Sequence, residues 1–221
     1  MYASEIFSDS VIRRWLDIGP NKGVGPEVLA DVDAKVTFVD INPQFLKESL
    51  ANYPGNHASA MDGTRLGFAD GTFEVVTALE VVEHIDQSNQ LGLYREAHRM
   101  LTKNGLFIVS TPNKTVNGSR PMSPDHKNEL TPEEFDAGLK KVGFSIIKDM
   151  GQWFFTDSLF HNIFRIARQN PIAVFAYYHL IPWKMRQVVR DSSLDKEAGP
   201  EVRKPMEREM PRIIYKVCQK I

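Results

Sequence analysis

A single cysteine in 221 residues, Cys218, has nothing inside the chain to pair with. That excludes an internal disulfide framework and a cysteine-based zinc site. An excess of charge is missing too. The chain has 27 Lys and Arg against 28 Asp and Glu, a formal net charge of -1 at pH 7. Such a balance gives no support for broad electrostatic binding to nucleic acid or to an anionic membrane. No run reaches the roughly 18 apolar residues of a membrane span. Met1–Ser10 lacks the basic region and apolar stretch of a secretory signal. The expected location is therefore the cytoplasm, with peripheral membrane contact left open. Internal repeats are absent as well. What is present is a 42% hydrophobic content, enough for a substantial core in one domain spanning 1–221.

The organising stretch is Trp15–Leu29, WLDIGPNKGVGPEVL. It reads as the end of a buried strand (Val11–Ile18), a glycine turn (Gly19, Gly23, Gly25) and a helix opening at Pro26, where a missing N–H costs nothing. Strand, glycine turn and helix N-terminus together make a site for part of a nucleotide-like ligand. Further strands are expected at Lys35–Asp40, His57–Met61, Phe73–Leu79, Leu106–Ser110, Phe144–Asp149 and Arg212–Gln219. Helices are expected from Asn42-Pro43 to Ala51, over Ser88–Thr102, and from Thr131-Pro132 to Val142. The last carries a capping-box pattern and stops at Gly143. Strands alternating with helices at this rhythm predict a parallel, doubly wound α/β sheet. Ligands of such sheets bind beyond the carboxyl ends of the strands, where Gly19–Gly25, Asp40, Asp62, Glu80 and Asn113 fall.

The glycine spacing narrows the ligand. A dinucleotide fingerprint starting at Gly19 needs glycine at positions 21 and 24, which hold Asn21 and Val24. The phosphate-loop pattern fails at the same place. What remains, D-x-G-x-x-x-G-x-G from Asp17, resembles the first motif of class I S-adenosylmethionine-dependent methyltransferases, with Asn21 replacing the middle glycine. The resemblance continues through Asp40, through Asp62-Gly63 and the Leu66–Val76 segment, and through Leu79-Glu80-Val81-Val82-Glu83-His84-Ile85. Glu96, Arg99 and Asn104-Gly105-Leu106, then Ser110-Thr111-Pro112-Asn113 and Thr131-Pro132-Glu133-Glu134-Phe135, extend it.

The resemblance covers residues 11–150, taken as a cofactor-binding core. It implies a Rossmann-like, seven-stranded, mostly parallel sheet with helices on both faces, in which 212–219 is the one antiparallel, closing strand. A helical insertion or cap at 156–190 precedes that strand. It implies S-adenosylmethionine as cofactor and S-adenosylhomocysteine as product. The implied cofactor residues are Asp17, Gly19, Pro20, Asn21, Gly23, Asp40, Ile41, Asp62, Gly63, Leu79 and Glu80. Asp40 would hold the ribose hydroxyls, since a carboxylate accepts two hydrogen bonds at once. Asp62 would sit by the adenine amino group. Lys22 reads as a partner of the methionine carboxylate or as an exposed lysine.

Methyl transfer to a hydroxyl needs its proton removed. His126, in PDHKNEL with Glu129 nearby to orient it, is the first candidate base, and His84 the second. His57 and His98 read as structural, and His161 and His179 as helix-surface residues. No metal-ligand spacing stands out, so no metal is expected. The expected acceptor is a sugar, a glycan or another small hydroxylated molecule. A quinone or phenol O-methyltransferase, an amino-sugar N-methyltransferase and a non-catalytic cofactor-binding module remain as alternatives. Nucleic acid is not an expected partner. The apolar Pro171–Trp183, bordered by Arg168, Lys184, Arg186 and Arg190, leaves open a membrane surface, a lipid-linked substrate or a homodimer contact for 156–190.

Overall fold

The computed structural model of the protein describes residues 12–21, 34–117, 121–156 and 209–221. The expected helix at Pro26, the glycines Gly23 and Gly25, Lys22, His161, His179 and the insertion beyond residue 156 lie outside the described residues.

Seven strands form one sheet: β1 (Arg14–Ile18), β2 (Lys35–Asp40), β3 (His57–Ala60), β4 (Phe73–Leu79), β5 (Leu101–Pro112), β6 (Phe144–Thr156) and β7 (Glu209–Lys220). Their spatial order is β3-β2-β1-β4-β5-β7-β6. From β3 to β5 neighbours run parallel. β7 runs antiparallel to both β5 and β6, as expected for the closing strand. The chain leaves β1 toward β2 and β3, then returns to place β4 on the other side of β1. The strand order therefore reverses at β1/β4, the position where open α/β sheets bind ligands.

The helices are α1 (Pro43–Asn52), α2 (Gln90–Met100), the single turn α3 (Lys114–Asn117) and α4 (Pro132–Val142), with a 3₁₀ turn at Val82–His84. The Asn42 side chain accepts from the Gln44 N–H ahead of Pro43, which starts α1. Thr131 and Glu134 cap α4 reciprocally, and Gly143 ends it at φ 103°, in the left-handed region where a Cβ is disfavoured.

Alternation along the strands builds two cores. Leu16, Ile18, Val76, Ala78, Phe107, Val109, Ile214 and Cys218 face one way, against Leu93, Ala97 and Met100 of α2 and Phe135 and Leu139 of α4. Trp15, Val75, Ile108, Ile213, Tyr215 and Val217 face the other, with Phe38 of β2 and Leu46 of α1. Burial on both faces explains why β1, β4 and β5 read as near-continuous apolar runs.

Several boundaries differ from the sequence expectation. Pairing of β1 begins at Arg14, not Val11, and Arg14 is tied to the Glu74 carboxylate of β4 at 2.7 Å. β5 starts at Leu101, not Leu106. Leu101 pairs with Phe73 and the next register pair is Leu106 with Val75, so the residues between are an insertion in the ladder. Asn104 turns there at φ 63°. A turn signal such as Asn104-Gly105 reads as a helix end in sequence, whereas here the helix has ended one turn earlier. β6 and β7 run well past Asp149 and start before Arg212, because they form a long antiparallel pair.

Candidate functional site

The carboxyl ends of β1, β2 and β4 carry the first half of the site. After β1 the chain turns sharply at Gly19, whose φ is +67° and whose N–H donates to the Val39 carbonyl at 2.8 Å. A Cβ on Gly19 would stand 2.6 Å from Cγ2 of Val81. Both the backbone conformation and the close approach of the β4 turn require glycine here. Gly19→Ala is expected to destabilise the protein by about 1–3 kcal/mol through strain at positive φ and to weaken cofactor binding. Thermal melts with and without S-adenosylmethionine measure both effects.

Asp17 is almost fully buried. The Trp15 indole N–H donates to Oγ1 of Thr77 at 2.8 Å, and that hydroxyl donates to Oδ1 of Asp17 at 2.5 Å. Oδ2 of Asp17 has no hydrogen-bond partner among the described residues. Burial pushes the carboxyl up to about 7, only partly offset by the Thr77 hydrogen bond, and the Asp40 charge adds to the rise. Asp40 ends β2, with Oδ1 accepting from the Asn42 N–H at 2.8 Å. Ile41 follows it with 77% of its surface exposed, an apolar side chain presented to solvent at the carboxyl end of β2. Asp62 Oδ1 accepts from both the N–H and the hydroxyl of Thr64, each at 2.8 Å. Gly63 lies against Ile18 and Leu93, where a Cβ would meet Ile18 Cγ2 at 2.8 Å.

The loop that carries Asp62 is held from below. The Arg99 guanidinium donates to the carbonyls of Leu66 and Phe68 and to the carboxylates of Asp70 and Glu96. Glu96 in turn accepts from the Leu66 N–H. These contacts hold the Glu96 carboxyl below its usual range.

The second half of the site follows β4 and β5. Leu79 ends β4, and Glu80 stands at φ 56°, a left-handed conformation uncommon for a residue with a Cβ. The Ser110 hydroxyl donates to Oε1 of Glu80 at 2.7 Å. Burial pushes the Glu80 carboxyl up to about 7, and the Glu129 charge adds to the rise. In the turn that follows, Glu83 is fully buried. Its Oε2 accepts from the Thr111 hydroxyl at 3.2 Å, and its Oε1 has no partner among the described residues. Its carboxyl lies well above the usual carboxylate range, because burial and the Glu80 charge both oppose ionisation.

The loop at 121–130 folds back over this turn. The N–H groups of Lys127 and Asn128 donate to the Glu83 carbonyl. The Gln90 side-chain amide bridges the carbonyls of Val82 and Asn128. This closure brings His126 beside His84, with ring centroids 4.9 Å apart and planes at 89°. Nδ1 of His126 lies 2.7 Å from Oε1 of Glu129, and both side chains are buried. Nδ1 of His84 lies 3.2 Å from the Asp125 carbonyl. A carbonyl only accepts, so His84 carries its proton on Nδ1, and an ionised Glu129 imposes the same on His126. Both Nε2 atoms are then lone-pair donors.

The structure thus brings together His126, His84 and Glu129 as candidates and adds Glu83, to which the sequence reading assigns no role. The signal for Glu83 lay in its position: a carboxylate next to His84 in a turn whose neighbours are apolar. The expected metal-free site meets a ligand-like grouping instead. One donor atom each from Glu83, His84 and His126 fall within 4.8 Å of one another. Sequence spacing hid it because His126 comes from a loop after the next strand. His84 sits in a 3₁₀ turn. Asn113 is a tether: its side-chain amide donates to the Pro211 carbonyl at 2.9 Å, and it is buried. His98 packs on Phe144 at 5.1 Å, the structural role expected of it.

Comparison with known proteins bears on the domain and the fold. A family model described as "Methyltransferase domain" matches residues 16–109. A probable S-adenosylmethionine-dependent methyltransferase of Mycolicibacterium smegmatis is 30% identical over 139 residues, covering 62% of this chain and 53% of that protein. A ubiquinone biosynthesis O-methyltransferase of Azorhizobium caulinodans is 33% identical over 160 residues, covering 64% of this chain and 62% of that protein. The chain spans about half to three fifths of the length of these relatives. The crystal structure of a putative methyltransferase from Bacillus halodurans superposes with a TM-score of 0.63 at 17% identity, covering 98% of this chain and 96% of that one, a likeness of fold.

The cofactor residues present fit S-adenosylmethionine. An orphaned buried carboxylate oxygen on Asp17 suits the cofactor's α-ammonium. Gly19 keeps a side chain out of the close approach to Val81, and the exposed Ile41 beside Asp40 offers an apolar surface next to a carboxylate. With the β1/β4 switch point and the ordered motifs from Asp17 to Glu134, residues 16–109 match a methyltransferase domain, and the chain is similar to S-adenosylmethionine-dependent methyltransferases.

Proposed function

We propose that the protein methylates a hydroxyl group of a small acceptor, with a sugar or glycan as the leading substrate class. The observation that carries this reading is the buried His126–Glu129 pair, 2.7 Å apart, folded over the turn that follows β4. A hydroxyl must shed its proton to become a good nucleophile. A neutral imidazole held by a carboxylate, with its other nitrogen free, is the arrangement that proton removal needs.

When bound, the cofactor supplies an electrophilic methyl group on a sulfonium. The chain's own part is alignment and proton handling. Asp17, Gly19, Asp40 and Asp62 hold the cofactor from β1, β2 and the loop after β3. Leu79 and Glu80, at the end of β4, join the cofactor half to the Glu83 turn. His126, oriented by Glu129, acts on the acceptor, with His84 beside it. Holding the acceptor oxygen in line with the methyl group contributes several kcal/mol, on the order of what positioning gives in other two-substrate reactions.

A phenolic or quinol acceptor is the second reading, and the relative named for ubiquinone biosynthesis favours it. A screen with radiolabelled methyl donor over nucleotide sugars, free glycans, phenols and amines separates the readings, with mass spectrometry of the product locating the methyl. Transfer to a hydroxyl of a sugar is the expected result. Transfer to amines alone overturns O-methylation. Cofactor binding by calorimetry with no transfer to any class favours a binding module.

A further inference from the structure

We propose that Glu83, His84 and His126 bind a divalent cation beside the cofactor pocket. Three independent features point there. The donor atoms converge: one atom from each residue lies within 4.8 Å of the others. Around an ion with bonds of about 2.1 Å, donors stand roughly 3–4 Å apart, so side-chain shifts of about an ångström close the set. The imidazoles are also oriented as ligands are. Nδ1 of His126 is fixed by Glu129 and Nδ1 of His84 by the Asp125 carbonyl, which leaves each Nε2 with an available lone pair. A carboxylate or carbonyl on the far nitrogen is the usual support of a metal-binding histidine.

The third feature is an unmet need. Glu83 is fully buried, and its Oε1 has no hydrogen-bond partner among the described residues. A buried carboxylate oxygen left bare is costly. Glu80 and Glu129 add two further carboxylates around it. A cation there satisfies the bare oxygen and neutralises the local negative charge in one step.

Two imidazoles and a carboxylate favour a borderline ion such as Mn²⁺, Fe²⁺, Co²⁺ or Zn²⁺ over Mg²⁺ or Ca²⁺, which prefer all-oxygen shells. Three protein ligands leave coordination positions for water or for the acceptor. The catalytic part of the proposal rests on the O-methylation reading; the binding of the ion does not. A hydroxyl held on the ion gives up its proton to solvent more readily. Its oxygen then forms a bond to the methyl carbon while the carbon–sulfur bond breaks, and the electron pair stays on sulfur. With the ion bound, His126 serves as its ligand and the proton passes to solvent.

The test uses the full chain, stripped with EDTA, desalted and titrated with Co²⁺. Visible absorption reports nitrogen and oxygen ligation, and calorimetry reports stoichiometry. One ion per chain is expected. Binding should weaken at least about tenfold in Glu83→Gln, His84→Ala and His126→Ala, and about 10–100-fold in Glu129→Gln, which leaves the ligands in place but loosens their support. Circular dichroism and S-adenosylmethionine binding check that each variant is folded. No spectral change with Co²⁺, or equal binding by wild type and Glu83→Gln, overturns the site. Methyl transfer that is lost in EDTA and restored by Mn²⁺ supports the catalytic role. Transfer untouched by EDTA but lost in His126→Ala overturns that role and leaves the O-methylation reading standing. Co²⁺ binding with no hydroxyl methylated under any metal does the reverse.

Discussion

Replacing His126 by alanine is expected to lower methyl transfer by about 10²–10⁴-fold, the range for loss of a group that handles a proton in the transition state. Affinity for S-adenosylmethionine should be unchanged. The reason is architectural. His126 lies in the loop after β5, which contacts the Glu83 turn through the Lys127 and Asn128 N–H groups. Most residues assigned to the cofactor lie on β1, β2 and the loop after β3, with Leu79 and Glu80 at the end of β4. Because the missing contact matters as the acceptor oxygen gains charge, kcat and kcat/KM should fall together. Glu129→Gln should lose about 10–100-fold, since a neutral amide orients the imidazole but no longer stabilises positive charge on it. Steady-state kinetics beside calorimetry with the cofactor reads both numbers. Unchanged turnover in His126→Ala removes it from the mechanism. Loss of turnover together with loss of cofactor affinity shows a folding role for the loop.

The contrast between the two halves of the site explains what was legible in the sequence. The cofactor half follows strands and can be read from local order. Asp17 and Asp40 each sit within or at the end of a strand whose apolar pattern is clear, Asp62 follows the short and weakly marked β3, and β2 and β4 fall where Lys35–Asp40 and Phe73–Leu79 predict them. The caps of α1 and α4 are equally local: Asn42-Pro43 and Thr131-Pro132-Glu133-Glu134 carry their own hydrogen bonds. The acceptor half depends on a loop closing over a turn from another part of the chain. No spacing rule links Glu83 to His126, and Gln90, which joins the two by bonding the carbonyls of Val82 and Asn128, looks like an ordinary polar helix residue. The limits of β5, β6 and β7 were hidden for a similar reason. Their extra length comes from pairing between distant strands, which carries β6 through Gly151 and resumes β5 on the far side of the turn at Asn104. Lys216 shows the same override. It is a charged residue in a closing strand, buried because Asp136 of α4 and Asp149 of β6 meet its ammonium at 2.8 and 2.7 Å.

Asp17 makes the other large prediction, because its protonation ties stability to cofactor binding. Its carboxyl is raised from 3.8 to about 7 by burial in the folded protein. Between pH 4 and 7 the folded chain therefore holds a proton that the unfolded chain has released. Stability supplied by that proton is complete below pH 4, declines as pH rises toward 7, and is gone above it. A shift of this size corresponds to at most about 4 kcal/mol. In Asp17→Asn that slope should vanish, so denaturant unfolding at pH 5 and pH 8 should differ less than in the wild type. The cofactor reverses the preference. On the proposal that its α-ammonium meets the ionised carboxylate at the bare Oδ2, binding near pH 6 should release a proton. Calorimetry in two buffers of different ionisation enthalpy detects that release. In the wild type, affinity should strengthen as pH rises from 5 to 7, by up to about tenfold per unit. Asp17→Asn should bind more weakly and show neither proton release nor that rise. Equal proton release in the two proteins would place the α-ammonium elsewhere and leave Asp17 as a buried link in the Trp15–Thr77 chain alone.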